Sequence, residues 1–225
     1  MQNIERLNKD QLDAVQETGN IGCSHAATAV SQLLGKNVDI SVPDLQIKKV
    51  DELTSAIENF FSNDEKVVGV YLELTEEFKG SILMLFSQKS ALSLSDALVG
   101  QTPGTSTELD EMARSAITEV GNIVVSAYTN ALGDLLNSTV MLSPPTFTED
   151  MPRGVMHKVQ NILGDKTEHA LIFDIRFTGE GNLFDSYFIL FPSPESLEVL
   201  LNKLGCIVGD QSDEDANEYV KSLLK

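Results

Sequence analysis

Apolar residues near the start of the chain recur at helical spacing. With Asp13 set at 0° and about 100° per residue, Leu12, Val15, Cys23, Ala26, Val30, Leu33 and Leu34 fall between about 200° and 300°. One long helix is expected there, with Asn8-Lys-Asp-Gln11 resembling a capping arrangement at its start. Ile117, Val125, Tyr128, Leu132, Leu135 and Leu136 draw the same stripe on a second long helix. Val70, Leu72 and Leu74 alternate as a strand does, and so do Phe173, Ile175 and Phe177.

These resemblances are a repeat. Residues 13–43 align with 115–145 at a constant offset of 102, without a gap, and 12 of the 31 positions are identical. Further on the match is in pattern. Gly80–Phe86 pairs with Asp185–Phe191 and Leu92–Gly100 with Leu197–Gly205, the extra residues falling in a tolerant turn at Thr178–Asn182. Each half reads as a long helix, a short strand ending at proline, a short helix, two strands and a final helix. The strands are close in sequence, so a two-layer α+β fold is expected: an antiparallel sheet carrying the long helices, with pseudo-two-fold symmetry. The expected boundaries are 8–100 and 107–207 for the halves of one domain, with a Gly100–Thr107 linker and an acidic tail over 208–225. Two separate domains are the alternative.

At 225 residues the chain can bury a core without disulfides or metal. Lys and Arg number 16 against 34 Asp and Glu, a formal charge of −18. That excludes general affinity for nucleic acid or anionic membrane, which needs clustered cations. The N-terminus lacks a signal-like apolar core, and no apolar run approaches the roughly 18 residues of a membrane span. A cytoplasmic protein with reduced thiols is expected.

The chemistry-bearing feature lies off the apolar stripe. Asp13, Glu17 and Asn20 share an arc of about 60°, and Ser115, Glu119 and Asn122 repeat it. A solvated helix face would explain one copy. It gives no reason to keep an exposed Glu and a mediocre helix former such as Asn after duplication. Gly19 and Gly121 point into the stripe, where close packing against another backbone is the expected compensation. Glu and Asn one turn apart supply a charged acceptor and an amide, with no nucleophile beside them. Such an amide can hold a water and aim it at an electrophile that brings its own metal, such as an acyl phosphate.

The spacing resembles the CheC-type chemotaxis phosphatases, the group of CheC, CheX and FliY. Their motif is Asp or Ser, three residues, Glu, two residues, Asn, then 22 residues and Pro. Asp13, Glu17, Asn20 and Pro43 fit it, and so do Ser115, Glu119, Asn122 and Pro145. The resemblance spans roughly residues 8–207. Two copies in one chain resemble CheC more than the single-motif, dimeric CheX, so a monomer is expected. It implies hydrolysis of the aspartyl phosphate on the response regulator CheY. Asn20 and Asn122 would position the water, and Glu17 and Glu119 would contact the regulator's lysine. Asp13, Ser115, Pro43 and Pro145 would be motif or partner-contact positions. The chain would carry no cofactor of its own, Mg2+ belonging to CheY. The resemblance also implies binding of the receptor deamidase CheD through Asp150, Met151 and Gly154. The alternative to catalysis is a regulatory module that sequesters CheD or phosphorylated CheY.

Other residues carry less. His25, His157 and His169 lack zinc-ligand spacing. Cys23 and Cys206 read as small buried hydrophobes.

Overall fold

In the computed structural model, which describes residues 9–61, 64–164, 167–179 and 184–203, the two predicted stripes become two 26-residue helices. The first half runs α1 (Lys9–Leu34), β1 (Val38–Lys49), a 3-10 turn (Val50–Glu52), α2 (Leu53–Phe60), β2 (Val67–Glu76), β3 (Gly80–Ser87) and α3 (Gln88–Leu98). The second runs α4 (Glu111–Leu136), β4 (Val140–Leu142), β5 (Thr146–Asp150), α5 (Pro152–Leu163), β6 (His169–Gly179), β7 (Phe184–Pro192) and α6 (Pro194–Lys203). The start of the capping arrangement, Cys206 and the acidic tail lie outside the described residues.

All strand pairings are antiparallel, in the order β1-β6-β7-β3-β2-β4, with β5 also on β2. By the repeat, β4 and β5 correspond to β1, β6 to β2, and β7 to β3. The order is therefore palindromic about the β3–β7 seam. Each half's first strand is paired with the other half's second strand: β1 with β6, and β4 and β5 with β2.

The long helices lie on one face, as expected. Val15, Ala26 and Val30 of α1 and Ile117, Val125 and Tyr128 of α4 join Val70, Met84, Phe173 and Phe188 in the main core. The opposite face is covered too, which makes three layers rather than the expected two: Leu53 and Ile57 of α2 and Val155, Met156 and Val159 of α5 pack on Tyr71, Leu83, Ile172 and Phe191. Alternate residues of β2 and β3 thus face different helices. This is why Val67–Leu72 and Ser81–Phe86 are apolar or small and buried throughout rather than alternating with exposed positions.

Two finer expectations are corrected. β1 does not end at Pro43. It continues to Lys49 through a bulge, where Val42 and Pro43 together face Ile175, between the Ser41–Arg176 and Asp44–Asp174 pairs. Proline lacks the N–H a regular ladder needs, and a bulge tolerates that. Leu33 is not in the core but 40% exposed, because the last turn of α1 contributes Leu34 instead.

The linker is built into the fold rather than slack. The Asp96 carboxylate, fully buried at the end of α3, accepts from the N–H groups of Thr105 at 2.8 Å and Ser106 at 3.2 Å. Asp110 then caps α4 by accepting from Ala113 N–H.

Candidate functional site

The two triplets stand on the outer side of α1 and α4. Asp13, Ser115 and Glu119 are exposed, and Glu17, Asn20 and Asn122 are half-buried. Beneath each triplet a glycine lets the helix sit low on the sheet. A Cβ on Gly19 would meet the Phe173 ring at 2.8 Å, and one on Gly121 would meet Val70 at 2.9 Å. These neighbours are side chains, which corrects the expectation of a backbone contact: the helices rest on bulky strand residues. Gly22, which is not repeated, makes the backbone contact. Its Cβ would lie 2.8 Å from Tyr128 Cα. Phe173 belongs to β6 and Val70 to β2, so the triplets lie on one face of the sheet but on opposite sides of its centre.

In the first triplet Glu17 and Asn20 are brought together: Asn20 Nδ2 donates to Glu17 Oε2 at 3.3 Å. The other end of the amide is held from the strand. Val42 N–H donates to Asn20 Oδ1 at 3.3 Å, and the Val42 carbonyl accepts from Gln16 Nε2 at 2.7 Å. Pro43 is the second residue of this bulge.

The second triplet has no matching bonds. Among the described residues neither Glu119 nor Asn122 has a side-chain hydrogen bond. The chain corresponding to β1 is split here. Ser143, Pro144 and half-buried Pro145 separate β4 from β5, and Ser143 bridges to Glu73 through its N–H and hydroxyl. Gln16 and Val42 were not singled out from the sequence. Gln16 lies about 40° from the edge of the polar arc, and the repeat carries Thr118 and Pro144 at the corresponding places.

The Asp150–Gly154 segment forms the entry to α5. Asp150 accepts from Met151 N–H at 2.9 Å and pairs with Lys158 at 2.8 Å. The Lys158 ammonium, then the Met151 N–H, holds its carboxyl below the usual range despite some desolvation. A Cβ on Gly154 would lie 2.5 Å from Asp150 Cγ, so only glycine leaves the carboxylate this position. Met151 is exposed. Cys23 is buried, and desolvation pushes its thiol up to about 12. His25 and His157 are exposed and His169 is half-buried.

A model described as the CheC-like family matches residues 11–47, and one described as chemotaxis phosphatase CheX matches residues 68–172. The first match contains Asp13, Glu17, Asn20 and Pro43; the second contains Ser115, Glu119, Asn122 and Pro145. The CheY-P phosphatase CheC of Bacillus subtilis (strain 168) is 29% identical over 203 residues, covering 88% of this chain and 96% of its own. These matches fit a chemotaxis phosphatase of the CheC/CheX/FliY family, most like CheC. The flagellar motor switch phosphatase FliY of the same organism is 28% identical over 143 residues, 63% of this chain and 36% of its own. The X-ray structure of Thermotoga maritima FliY superposes with a TM-score of 0.69 at 26% identity, covering 88% of this chain and 96% of that one. The α+β fold with its antiparallel sheet is thus shared with that FliY structure. Among the described residues no helix is long and apolar enough to cross a membrane.

Proposed function

We propose that this chain hydrolyses the aspartyl phosphate of phosphorylated CheY at two sites, Glu17–Asn20 and Glu119–Asn122. The relative named CheY-P phosphatase supports the reading. The observation that carries it is the Glu17–Asn20 pair, joined at 3.3 Å on an open helix face and repeated in type and spacing on α4.

The attack is by water. An Asn amide oxygen accepts one hydrogen of that water and its N–H steadies a phosphoryl oxygen, holding the nucleophile in line with phosphorus. The water oxygen bonds to phosphorus, the bond from phosphorus to the regulator's aspartate breaks, and inorganic phosphate and a carboxylate leave. Glu17 and Glu119 pair with the regulator's lysine, and Asp13 and Ser115 contact the same partner. Pro43 and Pro145 are the remaining motif positions: Pro43 completes the bulge whose Val42 bonds Asn20, and Pro145 lies in the break between β4 and β5. Mg2+ belongs to the regulator. The chain acts as a cytoplasmic monomer. CheD binds at the entry of α5, where Asp150 and Gly154 fix the turn and exposed Met151 makes the contact.

The test is dephosphorylation of CheY in the presence of Mg2+ by wild type, Asn20→Ala, Asn122→Ala and the double variant. The double variant should leave only the regulator's own decay. A double variant as fast as wild type would overturn the water-positioning assignment. A wild type that adds nothing, even with CheD present, would establish the regulatory binding module instead.

A further inference from the structure

The two triplets are matched in sequence but not in how their amides are held. We propose that the first site is preorganised by a clamp that the second lacks, and that Gln16 is the positioning residue of that clamp. The inference rests on the reading of Asn20 and Asn122 as the water-positioning groups.

The bulge in β1 is the source of the clamp. Where Val42 and Pro43 together oppose Ile175, the ladder is interrupted, and the Val42 peptide turns both of its polar groups to α1. Its carbonyl accepts from Gln16 Nε2 at 2.7 Å, and its N–H donates to Asn20 Oδ1 at 3.3 Å. Gln16 thus ties the strand to the helix one turn before Asn20, and the tied strand fixes the Asn20 amide. With Nδ2 also bonded to Glu17, both ends of that amide are oriented.

The clamp leaves the amide usable. An amide oxygen has two lone pairs and an amide nitrogen two hydrogens. Val42 takes one lone pair and Glu17 one hydrogen. One acceptor and one donor remain, in fixed directions: one to receive a water hydrogen and one for a phosphoryl oxygen.

The second half cannot form this arrangement. Position 144 is proline, which has no N–H. Position 118 is threonine, whose hydroxyl donates to the Arg114 carbonyl of its own helix at 2.7 Å instead of reaching the strand. Asn122 must therefore be ordered when the partner arrives, which lowers the rate at that site by roughly two- to tenfold relative to a held amide.

Two measurements test this. With Asn122→Ala, so that only the first site acts, adding Gln16→Met should lower kcat about two- to tenfold and leave KM nearly unchanged. With Asn20→Ala, so that only the second site acts, adding Thr118→Gln with Pro144→Val should raise kcat. A purely structural role for Gln16 would give no such gain. Unchanged kcat in both cases overturns the clamp while the phosphatase reading stands. The second measurement needs no activity: 15N relaxation of the side-chain amides should give Asn20 a higher order parameter than Asn122, falling in Gln16→Met. Equal values for the two amides would overturn the clamp. Should wild type prove inactive, a rigid Asn20 would still support the clamp geometry while the phosphatase reading failed.

Discussion

Gly22 of α1 lies directly against the backbone of Tyr128 in α4, where an added Cβ would stand 2.8 Å from Tyr128 Cα and 2.7 Å from its Cδ2. The two motif-bearing helices meet at this point, with the Tyr128 backbone and the edge of its ring both against Gly22. Gly22→Ala forces them apart, and backbone cannot swing aside as a flexible side chain can. A loss of about 1–3 kcal/mol is expected, as for overpacking in a close-packed core. Urea unfolding of the variant checks it.

Asp96 carries a pH-dependent share of stability. Burial raises its carboxyl, but hydrogen bonds from Ser106, Thr105 and Gly104 outweigh that and hold it below the ordinary 3.8. A depressed folded value favours the native state above 3.8, and the advantage fades as pH falls through the folded value. Asp96→Ala should lose about 1.5–3 kcal/mol at neutral pH, from hydrogen bonds to a charged group. The gap to wild type should narrow below about pH 4. Thermal unfolding against pH, for both proteins, measures this.

Glu17 and Asn20 should separate kinetically. In an Asn122→Ala background, Glu17→Gln removes a charge at a solvent-facing pair and should raise KM by no more than about fivefold. Asn20→Ala should abolish kcat instead. Steady-state dephosphorylation gives both constants, and a Glu17→Gln effect confined to kcat would contradict the partner-contact role.

On the proposed reading the partner holds Mg2+ through acidic groups, so with 16 cations against 34 anions the chain offers it no long-range attraction. Added salt should speed association modestly. Stopped-flow on-rates between low and moderate salt decide it, and a steep fall with salt would reveal a basic patch.

Cys23 should be inert to alkylation in the folded protein, since only the thiolate reacts and burial pushes the thiol up to about 12. Peptide mass spectrometry after iodoacetamide, with and without denaturant, should show modification at Cys23 only on unfolding.

The helices and the shared face of each candidate triplet were legible in the sequence because both follow a single local period. Glu17 and Asn20 stand out by angle alone, and the repeat says that the angle matters. Strand partnership was not legible in the same way: Leu45 meets Phe173 across the sheet, and nothing local to either residue marks that pairing. Pro43 read as a strand end because proline ordinarily is one, and the bulge that carries the strand past it depends on Ile175 of the opposing strand. Leu33 read as core because the helical period holds to the end of α1. It lies at the edge of the apolar arc, however, and the last turn buries Leu34 in its place.

The exchange of first strands across the β3–β7 seam has a consequence for how such a protein can change. Each half, taken alone, would leave its first strand in need of a second copy's β2-type strand. The single chain is thus the covalent equivalent of a strand-exchanged pair. In a pair of identical chains every substitution is written twice, so both sites must keep step. Joined in tandem, one copy can acquire a proline at position 144 while the other keeps a valine at 42. Joining the halves in tandem thereby leaves the two triplets free to differ within one shared sheet.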